Sequence, residues 1–136
     1  MKIAKYISKD SESIVELNDQ KGEITIKGRF ISIEPSEIWS KTNNWIANYK
    51  ARTAKKTIIN LQFEYINTGN VIALFSWINA IGKLSENNNN IQINWQFEDG
   101  DDDMKELGED INAVSKFPIS FESIECVNFS PNYCYA

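Results

Sequence analysis

The sequence predicts an α/β fold, a two-layer sandwich with a mixed sheet of about four to six strands and about three helices mainly on one face. Three observations predict it. Residues 24–30, 59–65 and 91–97 alternate apolar and polar side chains with the period of a strand. The segments between them place apolar residues at helical spacing. Each alternating stretch also keeps a polar face, whereas strands covered on both sides read as continuous apolar runs. Helices therefore belong on one face of the sheet, and water or a partner on the other.

Taken in order, Ile24, Ile26 and Phe30 alternate with Thr25, Lys27 and Arg29, with Gly28 on the apolar face. Asn18 to Gly22 form a turn, so Ile14-Val15-Glu16-Leu17 is expected to pair as the other arm of a hairpin. Pro35-Ser36-Glu37 gives a helix start capped by Ser36, and Ile38, Trp45, Ile46 and Tyr49 share one face of a helix ending near Arg52. In the next strand Ile59, Leu61, Phe63 and Tyr65 fall on one face, and Asn60, Gln62 and Glu64 on the other. The helix that follows, from Val71 to Leu84, is apolar over most of its circumference and is expected to be the most buried. After the polar loop 86–90, Ile91, Ile93, Trp95 and Phe97 alternate with Gln92, Asn94 and Gln96. Met104, Leu107, Ile111 and Val114 then mark a third helix, and residues 121–127 an edge strand.

Between the second strand and its helix stands Asn67-Thr68-Gly69-Asn70. The first turn of a helix has backbone N–H groups without partners and the positive end of the macrodipole. Such a site accepts a capping oxygen, and equally a phosphate. The Thr68 hydroxyl is thus a helix cap, a phosphoacceptor, or both.

At 136 residues, 42% of them apolar and sixteen aromatic, the chain has the means for one folded domain spanning residues 1–136. No apolar run has the length of a membrane span, and Met1-Lys2-Ile3-Ala4-Lys5-Tyr6 lacks the apolar block of a signal peptide. Cys126 and Cys134 are the only cysteines. A reduced, cytoplasmic protein is the economical expectation, with a small C-terminal disulfide loop left open. No histidine is present, which removes Ser-His-Asp and Cys-His catalysis and the His-dependent zinc sites. Two thiols cannot make a four-thiolate site, and no phosphate-cradling glycine pattern appears. The expectation is a non-enzyme without metal or cofactor.

The net charge of −5 is unevenly placed, with eight acidic residues against Lys105 between Glu98 and Asp110. No basic stripe suits a nucleic acid, so protein partners are expected. Asp99, Asp101 and Asp103 have the opening spacing of a calcium loop. Met104 stands where that loop needs glycine, and Asp110 where it needs glutamate. A solvated run whose Asp101 to Asp103 cap the next helix explains the pattern more simply.

Three stretches of this chain resemble the SiaC family of bacterial regulatory phosphoproteins. They are Gly22-Glu23-Ile24-Thr25-Ile26-Lys27-Gly28-Arg29, Leu61-Gln62-Phe63-Glu64-Tyr65-Ile66-Asn67-Thr68, and the segment from Trp95-Gln96-Phe97-Glu98-Asp99-Gly100 through Glu106-Leu107-Gly108-Glu109. The resemblance implies a small signalling adaptor in a partner-switching circuit. Within it, a dedicated protein kinase phosphorylates the threonine after asparagine, here Thr68, and a PP2C-type phosphatase reverses the step. The unphosphorylated form would bind an effector such as a diguanylate cyclase, in cyclic di-GMP signalling. Two departures touch the recognition surface. Gly69-Asn70 replace the family's usual serines, and Phe30-Ile31-Ser32-Ile33-Glu34-Pro35 replaces its Ser-Tyr-Pro-Glu.

The residues expected to meet partners are Asn67, Gly69, Asn70, Arg29, Asp101 and Asp102, with Arg29 also able to hold a phosphate bidentately. An alternating edge strand leaves room for a homodimer. The alternative is an acidic protein-binding or inhibitor module in which Thr68 is only a helix cap.

Overall fold

The structure, a computed structural model, describes residues 3–7, 12–18, 20–50, 56–85, 91–115 and 117–126, with the side chains of 3–4, 45–50 and 84–85 left aside. Along these the chain runs β1 (Ile3–Ile7), β2 (Ser13–Asn18), β3 (Glu23–Phe30), α1 (Ser36–Lys50), β4 (Thr57–Ile66), α2 (Thr68–Ser85), β5 (Ile91–Glu98), α3 (Asp102–Val114) and β6 (Ile119–Ile124). The six strands form one sheet in sequence order. β1, β2 and β3 pair antiparallel, and β3 through β6 pair parallel. Each βαβ step moves one place in the same direction, so right-handed crossovers put all three helices on one face. This is the mixed two-layer sandwich that the alternation predicts.

Under the helices, Ile24, Ile26, Ile59, Leu61, Ile93 and Trp95 are almost fully buried, together with Val15 and Leu17 of the hairpin arm. The helices supply Ile38, Trp39, Leu74, Trp77, Ile78, Ile81, Met104 and Ile111 to the same core. Aromatic rings link the layers. Phe63 packs edge-on against Phe30 at 5.0 Å between centroids and lies 5.5 Å from Trp95, while Trp39 lies 5.6 Å from Phe30 and 5.7 Å from Trp77. Such contacts contribute about 0.5–1.5 kcal/mol each beyond area burial.

The helix-free face is polar and largely satisfies itself. Asn94 donates to Asn60 and Asn60 to Glu23, both at 2.9 Å, while Gln62 donates to Gln96 at 2.6 Å and Gln96 to Glu122 at 2.8 Å. Lys27 pairs with Glu16 at 2.9 Å across the hairpin.

Several expectations are corrected. The register of β3 on β4 slips between Gly28 and Arg29, which then face Phe63 and Tyr65 and leave Glu64 as the extra residue of a bulge. Beyond it the alternation changes phase: Ile66 is 8% exposed, and Tyr65, expected on the apolar face, is 46% exposed. Gly28 sits at the bulge with φ of 113°, a backbone that side chains with a Cβ rarely adopt. Ser36 is the first residue of α1 rather than a residue preceding it. The edge strand begins at Ile119, and β1 was not apparent in the sequence. Cys126 is disulfide-bonded, the alternative left open beside the reduced state expected, and Cys134 lies outside the described residues. The expectations for Trp45, Ile46, Tyr49, Arg52, Leu84, the 86–90 loop and Val127 also fall outside what is described. No helix among the described residues is long and apolar enough to cross a membrane.

Candidate functional site

β4 ends at Ile66 and α2 begins at Thr68, so the single residue Asn67 makes the turn. Asparagine suits that position because its short amide reaches back to the helix it precedes. The Asn67 Oδ1 accepts from the backbone N–H of Asn70 at 2.9 Å, the bond expected of an N-cap. The backbone N–H of Asn67 donates to the Phe30 carbonyl at 3.0 Å, which ties the helix mouth to the end of β3. Asn67, not Thr68, is therefore the cap.

Asn70 holds the same corner from inside. Its side chain is fully buried and accepts from the Trp39 indole N–H at 3.1 Å. The Nδ2 donates towards Asn67 Oδ1 at 2.9 Å, the Ser32 carbonyl at 3.2 Å and the Phe30 carbonyl at 3.3 Å. One amide thus joins β3, the β3–α1 loop, α1 and α2. This corrects the expectation that Asn70 meets a partner, since it has no exposed surface to offer. No local pattern marked this role, because every partner of Asn70 outside its own turn is 31 or more residues away.

Thr68 is left outside this network. It is exposed at the first helical position, and among the described residues no hydrogen bond engages its hydroxyl. Gly69 beside it is exposed too, and a Cβ there would meet Asn67 Oδ1 at 3.8 Å and Pro35 at 4.0 Å, ordinary contact distances. The corner therefore has room for a serine at this position. Because the cap is Asn67, Thr68→Ala should alter stability by less than about 0.5 kcal/mol, while Asn67→Ala should cost about 1–2 kcal/mol. Urea unfolding of the two variants measures the difference, and the reverse order would return the cap to Thr68.

Helical spacing puts Thr68, Val71, Ile72 and Phe75 on one stripe of α2. Val71, Ile72 and Phe75 face Leu107, Ile111 and Val114 of α3 across an open apolar groove of about 440 Å³. Ile72 is 64% and Val114 67% exposed, although the apolar circumference of α2 and the spacing in α3 predicted burial for both. Ile33 follows Ser32, whose carbonyl receives Asn70, and is 94% exposed. Exposed apolar surface thus continues from Thr68 along the stripe of α2 that carries Ile72. Residues 31–37 and 67–76, which make up this corner, contain no lysine or arginine.

The other expected contact residues separate into two places. Arg29 lies on the helix-free face, where its guanidinium reaches Glu64 at 3.3 Å and Glu12 at 3.6 Å and stacks 5.4 Å over the Tyr65 ring. With two carboxylates already on it, Arg29 is not a ready phosphate holder, which corrects that expectation. Asp101 caps α3 by accepting from the Met104 N–H at 3.1 Å, and Asp102 and Asp103 fill its first turn. The acidic run is thus a helix start, as its pattern suggested. Asp102 is exposed and Asp101 half-buried. Gly108, in the same stretch, lies against the Trp95 ring, whose indole N–H donates to the Met104 carbonyl at 3.0 Å.

Comparison with known proteins agrees with this geometry. Comparison with curated protein sequences finds no match. Among solved structures, the chain is similar to one in the crystal structure of diguanylate cyclase SiaD in complex with its activator SiaC from Pseudomonas aeruginosa, with a TM-score of 0.77 at 15% identity over 89% of this chain and 99% of that one. It is also similar to SiaC of Pseudomonas aeruginosa, with a TM-score of 0.76 at 15% identity over 91% and 100%. Apo-SiaC of the same organism gives 0.75 at 16% identity over 90% and 99%. At such identities these likenesses speak for the fold. A sequence model of the SiaC family of regulatory phosphoproteins matches residues 7–125. With the family model spanning nearly the whole chain and solved structures of the same fold beside it, the chain belongs to the SiaC family of regulatory phosphoproteins.

Proposed function

We propose that this protein is a non-enzymatic signalling adaptor switched by phosphorylation of Thr68. One observation carries the reading: the Thr68 hydroxyl is exposed, is not spent on capping, and stands in line with the residues of an apolar groove. A protein kinase would add the phosphate, a PP2C-type phosphatase would remove it, and the unphosphorylated form would hold an effector, a diguanylate cyclase being the model that the SiaC–SiaD complex offers. The circuit would operate in the cytoplasm.

The physical chemistry sets the direction of the switch. A phosphate adds about −1.5 to −2 charges at pH 7 and three strong acceptors. At the N-terminus of α2 it meets free N–H groups and the positive end of the helix dipole, worth about 0.3–1 kcal/mol, so the fold survives. A partner packed across Thr68 and Ile72 would have to desolvate that charge, and residues 31–37 and 67–76 hold no lysine or arginine to compensate. Phosphorylation therefore releases the partner and leaves the adaptor folded.

Intact mass and peptide mapping of protein isolated from its native cells test this. The expected result is a fraction heavier by one phosphate, about 80 Da, mapped to Thr68. Only unmodified protein, across growth and stress conditions with phosphatases inhibited, would remove the switch. It would leave an acidic binding or inhibitor module that uses the exposed carboxylates of α3.

A further inference from the structure

We infer that the groove between α2 and α3 receives an amphipathic helix of the partner, apolar along one face and basic along one edge of that face. The inference rests on the proposed function, since Thr68 heads the α2 stripe that walls the groove.

The shape comes first. α2 and α3 each follow a strand of the parallel part of the sheet, so they run side by side in the same direction with the groove between them. A channel between two helices, lined at one-turn intervals by Val71 and Phe75 and by Leu107, Ile111 and Val114, matches the i, i+3/i+4, i+7 anchors of a third helix. A peptide added as a β-strand would need an unpaired strand edge for its backbone, and helices offer none.

Charge then sets the occupant's chemistry. On α3, Asp103, Glu106 and Asp110 recur at steps of three and four, are all exposed, and form a single acidic flank along the groove. Facing them, the exposed α2 residues Ile72 and Ser76 are uncharged. Lys105 projects from a different side of α3, nearly half a turn from the line of Leu107 and Val114. The occupant's cations therefore belong on the edge over α3, and its edge over α2 and Thr68 is neutral. That asymmetry keeps the phosphate of the proposed switch away from a compensating charge. A second copy docking through the same α2–α3 face does not fit, because the only basic residue of α2 is Lys83 in its last turn, with none beside the groove.

The test is selection of displayed, randomised helical peptides of about 18 residues, or five turns, against the full-length unphosphorylated protein. Enriched peptides should carry apolar residues at helical spacing with Lys or Arg along one edge. Their binding should weaken by about tenfold or more in Ile72→Asp and in Val114→Asp. The double reversal Glu106→Lys with Asp110→Lys should change the selected edge from basic to acidic. All four positions are exposed, so the variants should keep the far-UV spectrum and melting temperature of the parent. No enrichment, enrichment without the charged edge, or binding indifferent to the groove variants would overturn the inference. Protein carrying phosphothreonine at 68 separates it from the reading beneath. Groove-dependent binding that ignores the phosphate would sink the switch alone. Binding that responds to the phosphate but not to the groove variants would sink the groove alone.

Discussion

Gly108→Ala is expected to lower stability by about 2–3 kcal/mol and the melting temperature by about 10 °C. An ideal Cβ at this position would lie 2.5 Å from Trp95 Nε1, 2.6 Å from Cε2 and 2.7 Å from Cδ1, closer than real Cβ contacts come. Trp95 cannot yield. Its ring is 1% exposed, packs 5.5 Å from Phe63, and holds the Met104 carbonyl of α3 at 3.0 Å. Either α3 lifts off β5 or the indole hydrogen bond is lost, and both outweigh the roughly 1 kcal/mol that alanine gains over glycine inside a helix. Gly82 in α2 supplies the control. A Cβ there meets Phe117 at 3.6 Å, an ordinary contact, so Gly82→Ala should be neutral or stabilising by up to about 1 kcal/mol. Urea unfolding of the pair measures the contrast. A Gly108→Ala protein as stable as the parent would mean that α3 does not sit on Trp95 as described. Gly108 is also the glycine of the acidic motif by which the sequence resembles its family, and the close approach gives that glycine a physical reason.

Asn70→Ala should cost about 3 kcal/mol and loosen the corner that presents Thr68. The substitution strips the buried Trp39 indole N–H of its acceptor and leaves the Phe30 and Ser32 carbonyls with only the donors of Asn67, with no exposure to water at residue 70 to replace what is lost. Each buried polar group left unsatisfied costs about 1–3 kcal/mol. Asn70→Asp keeps the shape but turns an acceptor towards those carbonyls, so it should not rescue. Amide hydrogen exchange would read the loss at its source, with protection falling first in the opening turns of α1 and α2. Uniform loss across the sheet, or none, would contradict the role of Asn70 as the tie between these elements.

Much of the fold was legible because it rests on short-range periodicity. The alternation of Ile24 with Thr25, or of Ile93 with Asn94, states which face of a strand is wetted. One wetted face implies helices on the other. The Asp101 cap and the acidic first turn of α3 were equally readable, since a cap acts within four residues. Asn67-Thr68 could be recognised as a helix mouth, but the cap was expected at Thr68 and is made by Asn67. Both are capable N-caps, and the outcome depended on Asn67 also reaching the Phe30 carbonyl of a distant strand.

The sequence by itself thus determined most of the strand and helix pattern, the one-sided sheet and the helix mouth at Asn67-Thr68, because each follows from near-neighbour chemistry, while Thr68 as candidate phosphoacceptor came from the resemblance to the family. Tertiary structure alone decided the rest. The bulge opposite Arg29 turned Tyr65 outward, a result of β3 and β4 pairing across some 35 residues of chain. The same kind of long-range packing buried Asn70 completely, pressed Gly108 onto Trp95, and left one stripe of the apolar helix α2 open beside Val114. Periodicity tells a side chain which way to point along its own element. Whether anything stands there to receive it depends on where the other elements come to rest.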